Sequence, residues 1–141
     1  MKAKLWLRIA SALMAFHTLG HTFGALTWRQ APNAATADVI NGMQTNHFIF
    51  MGRLASLASF YEGYGISMIL VLLLVVVSLW LMSSSFNNSL APKLLSVLTV
   101  FLLFLSVTEL IYFFPMAAII TFLAAVATLI ATIQIRKAVR E

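Results

Sequence analysis

The chain has 141 residues, 62% of them hydrophobic and only 9% charged. Soluble domains carry roughly 25% charged residues, so this composition leaves too little polar surface for a soluble fold. The formal charge of +5 comes from basic residues at the ends of apolar segments, which excludes a nucleic-acid role and reads as a topology signal. The chain has no cysteine, so disulfides, thiolate nucleophiles, iron–sulfur ligation and c-type haem attachment are ruled out.

The expected fold class is all-α: an antiparallel four-helix transmembrane bundle forming one integral-membrane domain. Crossing a hydrocarbon core of ~30 Å takes about 20 helical residues, and four segments qualify. The first covers about 5–28. Its basic start resembles a signal peptide, but its apolar stretch runs longer than a signal core, so an uncleaved membrane helix is expected. The second covers about 63–82, around "ISMILVLLLVVVSLWLM". The third, about 92–114, and the fourth, about 115–135, open on Pro92 and Pro115, which suit a first helical turn. Almost nothing joins these two, so a tight antiparallel hairpin is expected. The "SSSFNNS" stretch before the third is a polar turn.

Residues 29–62 form an extracytoplasmic segment between spans one and two. "RQAPNAATADVINGMQT" reads as a polar loop, and "NHFIFMGRLASLASFYEG" as a helix leading into span two. A continuous helix from His47 to Met82 would be ~54 Å long, too long for the hydrocarbon core. This piece is therefore expected either to project outward or to fold over the outer mouth of the bundle, with Gly63 and Gly65 as places for a bend. Small residues at helical spacing supply packing stripes. These are Ala10, His17, Gly20 and Gly24 in span one, then Gly52, Ser56, Ser59, Gly63 and Ser67 in the lead-in. In span four they are Ala117, Thr121, Ala124, Thr128 and Ala131.

With four crossings, Lys2, Lys4, Arg8, Lys93, Arg136, Lys137 and Arg140 share one side, and only Arg29 and Arg53 take the other. The positive-inside rule then expects a bacterial inner-membrane protein with both termini cytoplasmic. The sequon Asn87-Asn88-Ser89 falls on the cytoplasmic side and is discounted.

The candidate site starts from "FHTLGHTFG", residues 16–24. His17 and His21 share a helical face that cannot point at lipid, since unpaired polar rings there cost several kcal/mol. His21 lies ~10 Å and His17 ~16 Å below Trp28, and Glu109 lies ~8 Å from Phe114 at the same end. Glu62 is at that boundary, with Tyr61, Tyr64 and Tyr112 as an aromatic belt. Intramembrane ionisable groups are a functional-site hypothesis, and Glu109 is the expected partner of His21. The polar cluster is thus His17, His21, Glu62, Glu109, Tyr61 and Tyr112. His47 is read as solvated, and Arg53 as an interfacial residue.

Three readings of this cluster stay open. It is a structural tie in an accessory or scaffold subunit, with a membrane-protein partner or a second copy. It is a pocket for a lipid-like small molecule, with Gly20 and Gly24 making room. Or it is an enzyme that handles protons or holds a divalent metal through His17, His21 and Glu109, a set in which an i, i+4 histidine pair meets a carboxylate from a facing helix. The Glu-x-x-His di-iron signature is absent. One haem cannot take both histidines of a single helix as axial ligands.

The motifs "FHTLGHTFG", "MGRLASLASFYEGYGISM" and "YFFP" (112–115) give the chain a resemblance to small four-helix bacterial inner-membrane proteins of the DoxX-like group. That resemblance implies the four-helix architecture and assigns no catalytic residue.

Overall fold

A computed structural model describes residues 2–84 and 90–140. The Asn87-Asn88-Ser89 sequon lies outside the described residues, as does most of the polar turn around it. Five helices and one β-hairpin follow in the order α1 (Lys2–Thr27), α2 (Ala34–Thr45), β1 (His47–Phe50), β2 (Arg53–Ser56), α3 (Leu57–Met82), α4 (Ala91–Tyr112) and α5 (Pro115–Arg140). Three are long and apolar enough to cross a membrane: α3, α4 and the Pro115–Ala138 part of α5. The chain is a mostly helical membrane protein. Helix α1 has the length, but its charged first turns and the polar run from His17 to Gly24 dilute its apolar character.

The chain divides into two compact units. One comprises residues 1–18 and 72–141, and within it burial follows a strict alternation of three and four residues. On α1 the seam is Ala3, Leu7, Ala10, Met14 and His17. On α4 it is Leu95, Thr99, Leu102, Ser106 and Glu109. On α5 it is Ala117, Thr121, Ala124, Thr128, Ala131 and Ile135. Seams of this 3.5-residue period let helices mesh side chains along their length. Helices α4 and α5 make an extensive contact along their length. The Ala/Thr stripe explains why, since small side chains let the backbones approach closely. The expected tight hairpin is present: α4 ends at Tyr112, where Phe113 N–H bonds the Glu109 carbonyl at 2.9 Å, and α5 starts at Pro115.

Buried hydroxyls in this unit are mostly satisfied within their own helix. Thr99 donates to the Leu95 carbonyl, Thr128 to Ala124 and Thr132 to Thr128, all at 2.8 Å. This i−4 back-bonding removes the cost of a polar group in an apolar interior. Ser11 differs, reaching across to the Val76 carbonyl of α3 at 2.9 Å. At the far end, Arg136 of α5 donates to Ser96 of α4 at 2.8 Å.

The other unit, residues 19–71, departs from the sequence reading. The expected polar loop contains helix α2, started by Asn33, whose side chain accepts the Thr36 N–H at 2.8 Å. An Asn cap and an alanine-rich first turn outweigh the polar composition. The expected lead-in helix is instead an antiparallel hairpin with Phe50 opposite Arg53 and Ile49 opposite Leu54. "HFIF" carries the aromatic and β-branched residues that favour strands. Met51 and Gly52 both take positive φ, 51° and 79°, as a two-residue primed turn requires. That turn, unreadable from helical spacing, takes Gly52 and Ser56 out of the expected stripe, while Ser59, Gly63 and Ser67 keep their helical spacing on α3. Helix α3 begins at Leu57 and runs unbroken through Gly63 and Gly65, so the expected bend is absent. Gly20 and Gly24 face open space and pack on nothing.

Since Ala124 is fully buried on the α5 seam, Ala124→Leu should overpack the hairpin and cost about 1–3 kcal/mol. The same change at exposed Ala138 should be nearly silent. Unfolding in mixed micelles by denaturing-detergent titration measures both.

Candidate functional site

The seams of α1, α4 and α5 each deliver one polar side chain to the same place in the unit formed by residues 1–18 and 72–141. His17 comes from α1, Glu109 from the last turns of α4, and Thr121 from the second turn of α5. The His17 Nδ1 lies 2.9 Å from Thr121 Oγ1, and its Nε2 lies 3.4 Å from Glu109 Oε1. All three are buried, with exposures of 8%, 6% and 0% for His17, Glu109 and Thr121.

The chemistry of the partners orders the protons. An ionised carboxylate only accepts, so beside it a neutral His17 ring would carry its proton on Nε2, and Nδ1 would then accept the Thr121 hydroxyl. Protonation of the ring would convert the Glu109 contact into a buried ion pair and reverse the Thr121 bond. Either state spans three helices with a single ring. Glu109 Oε2 and Gln134 Oε1 are buried without a hydrogen-bond partner among the described residues. The first of these leaves Glu109 able to accept one further donor.

The expected partner of Glu109 was His21; within this unit the side chain that meets Glu109 is His17, at 3.4 Å. In its own unit His21 directs Nε2 to the Gly65 carbonyl at 3.2 Å. A carbonyl only accepts, so Nε2 is the protonated nitrogen there. Among the described residues no three His, Cys, Asp or Glu side chains come close enough to hold an ion.

Glu62 and Tyr61 belong to a separate constellation, in the 19–71 unit. Arg29 Nε donates to Glu62 Oε1 at 2.9 Å, and its Nη2 also contacts that oxygen. Tyr61 lies against Trp28 with ring centroids 4.9 Å apart, and the Arg29 guanidinium sits 5.7 Å from the Trp28 ring. This exposed pair closes the junction of α1 with the first turns of α3. A surface ion pair of this kind contributes about 0–1 kcal/mol. Tyr112 is 76% exposed on α4 and joins neither group. His47 bonds the Thr45 carbonyl at 2.8 Å and closes the turn before β1.

The sequence reading missed Thr121 and Arg29 as site residues. Thr121 was visible only as one member of a packing stripe. Arg29 stood out as a charge beside Trp28, with nothing to say that Glu62 would meet it. An open apolar groove of about 250 Å³ also lies in the first unit, lined by Ser11, Ala12 and Ala15 of α1 and Val76, Val77 and Trp80 of α3. The Arg8 guanidinium stands 5.0 Å over the Trp80 ring at this groove.

Comparison with known protein families, curated proteins and solved structures finds no match to this chain.

The coupling of the three side chains is measurable. Thr121→Val should cost about 0.6–1.7 kcal/mol, the span found for hydrogen bonds between membrane helices. His17→Ala should cost more, about 3 kcal/mol, because it strands a buried carboxylate. The double variant His17→Ala/Glu109→Gln should then be more stable than His17→Ala alone. Equal or additive losses would show that the ring and the carboxylate do not interact.

Proposed function

We propose that this chain is a non-catalytic accessory or scaffold protein of the bacterial inner membrane. It crosses four times, with α1 as the first span and both termini in the cytoplasm. The single observation that supports this best is the buried His17 ring, which engages Glu109 of α4 and Thr121 of α5. A polar group consumed by protein partners on two sides ties helices together and has no free edge for a substrate. The basic residues at the ends of α1 and α5, and Lys93 at the start of α4, support the orientation. Membership of the DoxX-like group, implied by the sequence motifs, belongs to the same proposal.

A second reading has a specific observation in its favour. Glu109 Oε2 is buried without a partner, and a buried acceptor left unmade is costly. A small lipid-like molecule bearing a hydroxyl would supply the donor, and the apolar groove along Ser11 to Trp80 offers its chain a surface. A proton-handling role would use the other oxygen, Oε1, which faces the His17 imidazole at 3.4 Å.

Topology and binding test these readings. With no native cysteine, single cysteines at Lys4, Asp38 and Lys137 can be probed in intact cells with an impermeant maleimide. Asp38→Cys should label from outside, and Lys4→Cys and Lys137→Cys only after lysis. Labelling of Lys4→Cys and Asp38→Cys from the same side would show that α1 does not cross. Mild-detergent affinity capture followed by native mass spectrometry should show a stable protein partner or a second copy. A bound small molecule lost on Glu109→Gln would favour the second reading instead.

A further inference from the structure

The β1–β2 hairpin has no part in the site above, and its tip is an odd thing to expose. Met51 is 92% exposed, Ile49 78% and Leu54 68%. Folding alone would favour Asn or Gly at position 51, where φ is positive. A long apolar side chain is held there instead.

Four observations within the 19–71 unit say what meets it. First, the hairpin is tethered at a bilayer boundary, because β2 ends at Ser56 and the membrane-spanning helix α3 begins at Leu57. Second, it folds back on that helix. Phe48 and Phe50 both pack on Phe60, one turn into α3, with centroids 6.1 and 5.3 Å away. An upright hairpin would carry its tip away from Phe60. Third, the register divides the faces. Phe48 and Phe50 turn to α3, while Ile49 and Leu54 sit opposite each other on the other face, with His47 and Ser56 at its base. Apolar character is thus concentrated at the tip. Fourth, the same turns of α3 carry Tyr61 and Glu62, joined to Trp28 and Arg29, an aromatic and charged girdle of the kind found at the headgroup level. Arg53 sits in this zone, exposed and without a partner among the described residues.

We infer that the hairpin is an interfacial lipid anchor, in which Ile49, Met51 and Leu54 enter the acyl boundary of the leaflet where α3 begins, and Arg53 pairs with a lipid phosphate. Amphipathic elements bind this region through buried apolar area plus attraction to anionic headgroups. Arg53 stands opposite Phe50 at the end of the hairpin; it supplies a forked donor suited to phosphate, and a long arginine stem lets the charge reach the headgroups. The anchor requires only that α3 crosses the bilayer and is independent of the role given to His17.

The test uses the whole protein in vesicles of phosphatidylglycerol and phosphatidylcholine, with a single environment-sensitive fluorophore on Met51→Cys. Nitroxide placed high on the lipid acyl chains should quench it by about half, as insertion at the acyl boundary demands, while aqueous iodide should have little effect. The same label on Leu70→Cys, mid-way along α3, reports the span itself. Loss of lipid quenching at Leu70 would defeat the membrane assignment. Quenching at Leu70 with a water-exposed label at Met51 would overturn the anchor alone. A Met51 label shielded from both quenchers would mean that protein, such as a second copy, covers the tip, and would also overturn it. With the label moved to Ile49→Cys, Met51→Asn should leave the melting temperature unchanged or raised, since Asn accepts the turn, yet reduce lipid quenching. Arg53→Gln should abolish any excess quenching in phosphatidylglycerol over phosphatidylcholine. A Met51→Asn variant that keeps full lipid quenching, or an Arg53→Gln variant that keeps the phosphatidylglycerol excess, would count against the anchor.

Discussion

A ring nitrogen placed among apolar helices has no water to turn to, so its partners must come from the protein. His17 faces that demand on both sides of its ring, and the answer shapes the unit around it. Glu109 must stand at the C-terminal end of α4, Thr121 near the start of α5, and the chain between them must reverse within two residues. The carboxylate is similarly bound to the imidazole, because alone it would be a buried charge with nothing to offset its desolvation. Each of the three side chains therefore makes the others tolerable. The alternating seams that deliver them keep that arrangement in register over several turns.

The position of Thr121 shows how finely this depends on context. Thr128 and Thr132, about two and three turns further along the helix, bond their own backbone. Thr121 has the same chemistry but a histidine opposite, and directs its hydroxyl there. Residue type alone does not separate a helix-satisfied threonine from one that bridges two elements. This is why the Ala/Thr stripe of α5 could be read as a packing face while its one bridging member could not.

Much of the helical architecture was legible, for reasons that can be named. Long apolar runs in α3, α4 and α5 leave a membrane as the one solvent that suits them. Pro92 and Pro115 mark helix starts, and the missing spacer at Phe113 and Phe114 imposes the hairpin. The meeting of His17 with Glu109 and Thr121 was not legible, because counting residues along α1 gives a height and leaves open which side chains of α4 and α5 a ring at that height will meet. The region between α1 and α3 failed for another reason. "FIFMGRL" satisfies helical and strand patterning alike over so few residues, and the decision fell to Met51 and Gly52 accepting a left-handed backbone. The Asn33 cap was equally local and equally easy to pass over.

The brevity of the α4–α5 link bears on where its basic residues stand. A connection of two phenylalanines keeps the two arms antiparallel, so Lys93 and the Arg136–Lys137 stretch are held at one end of the pair, where Arg136 reaches Ser96.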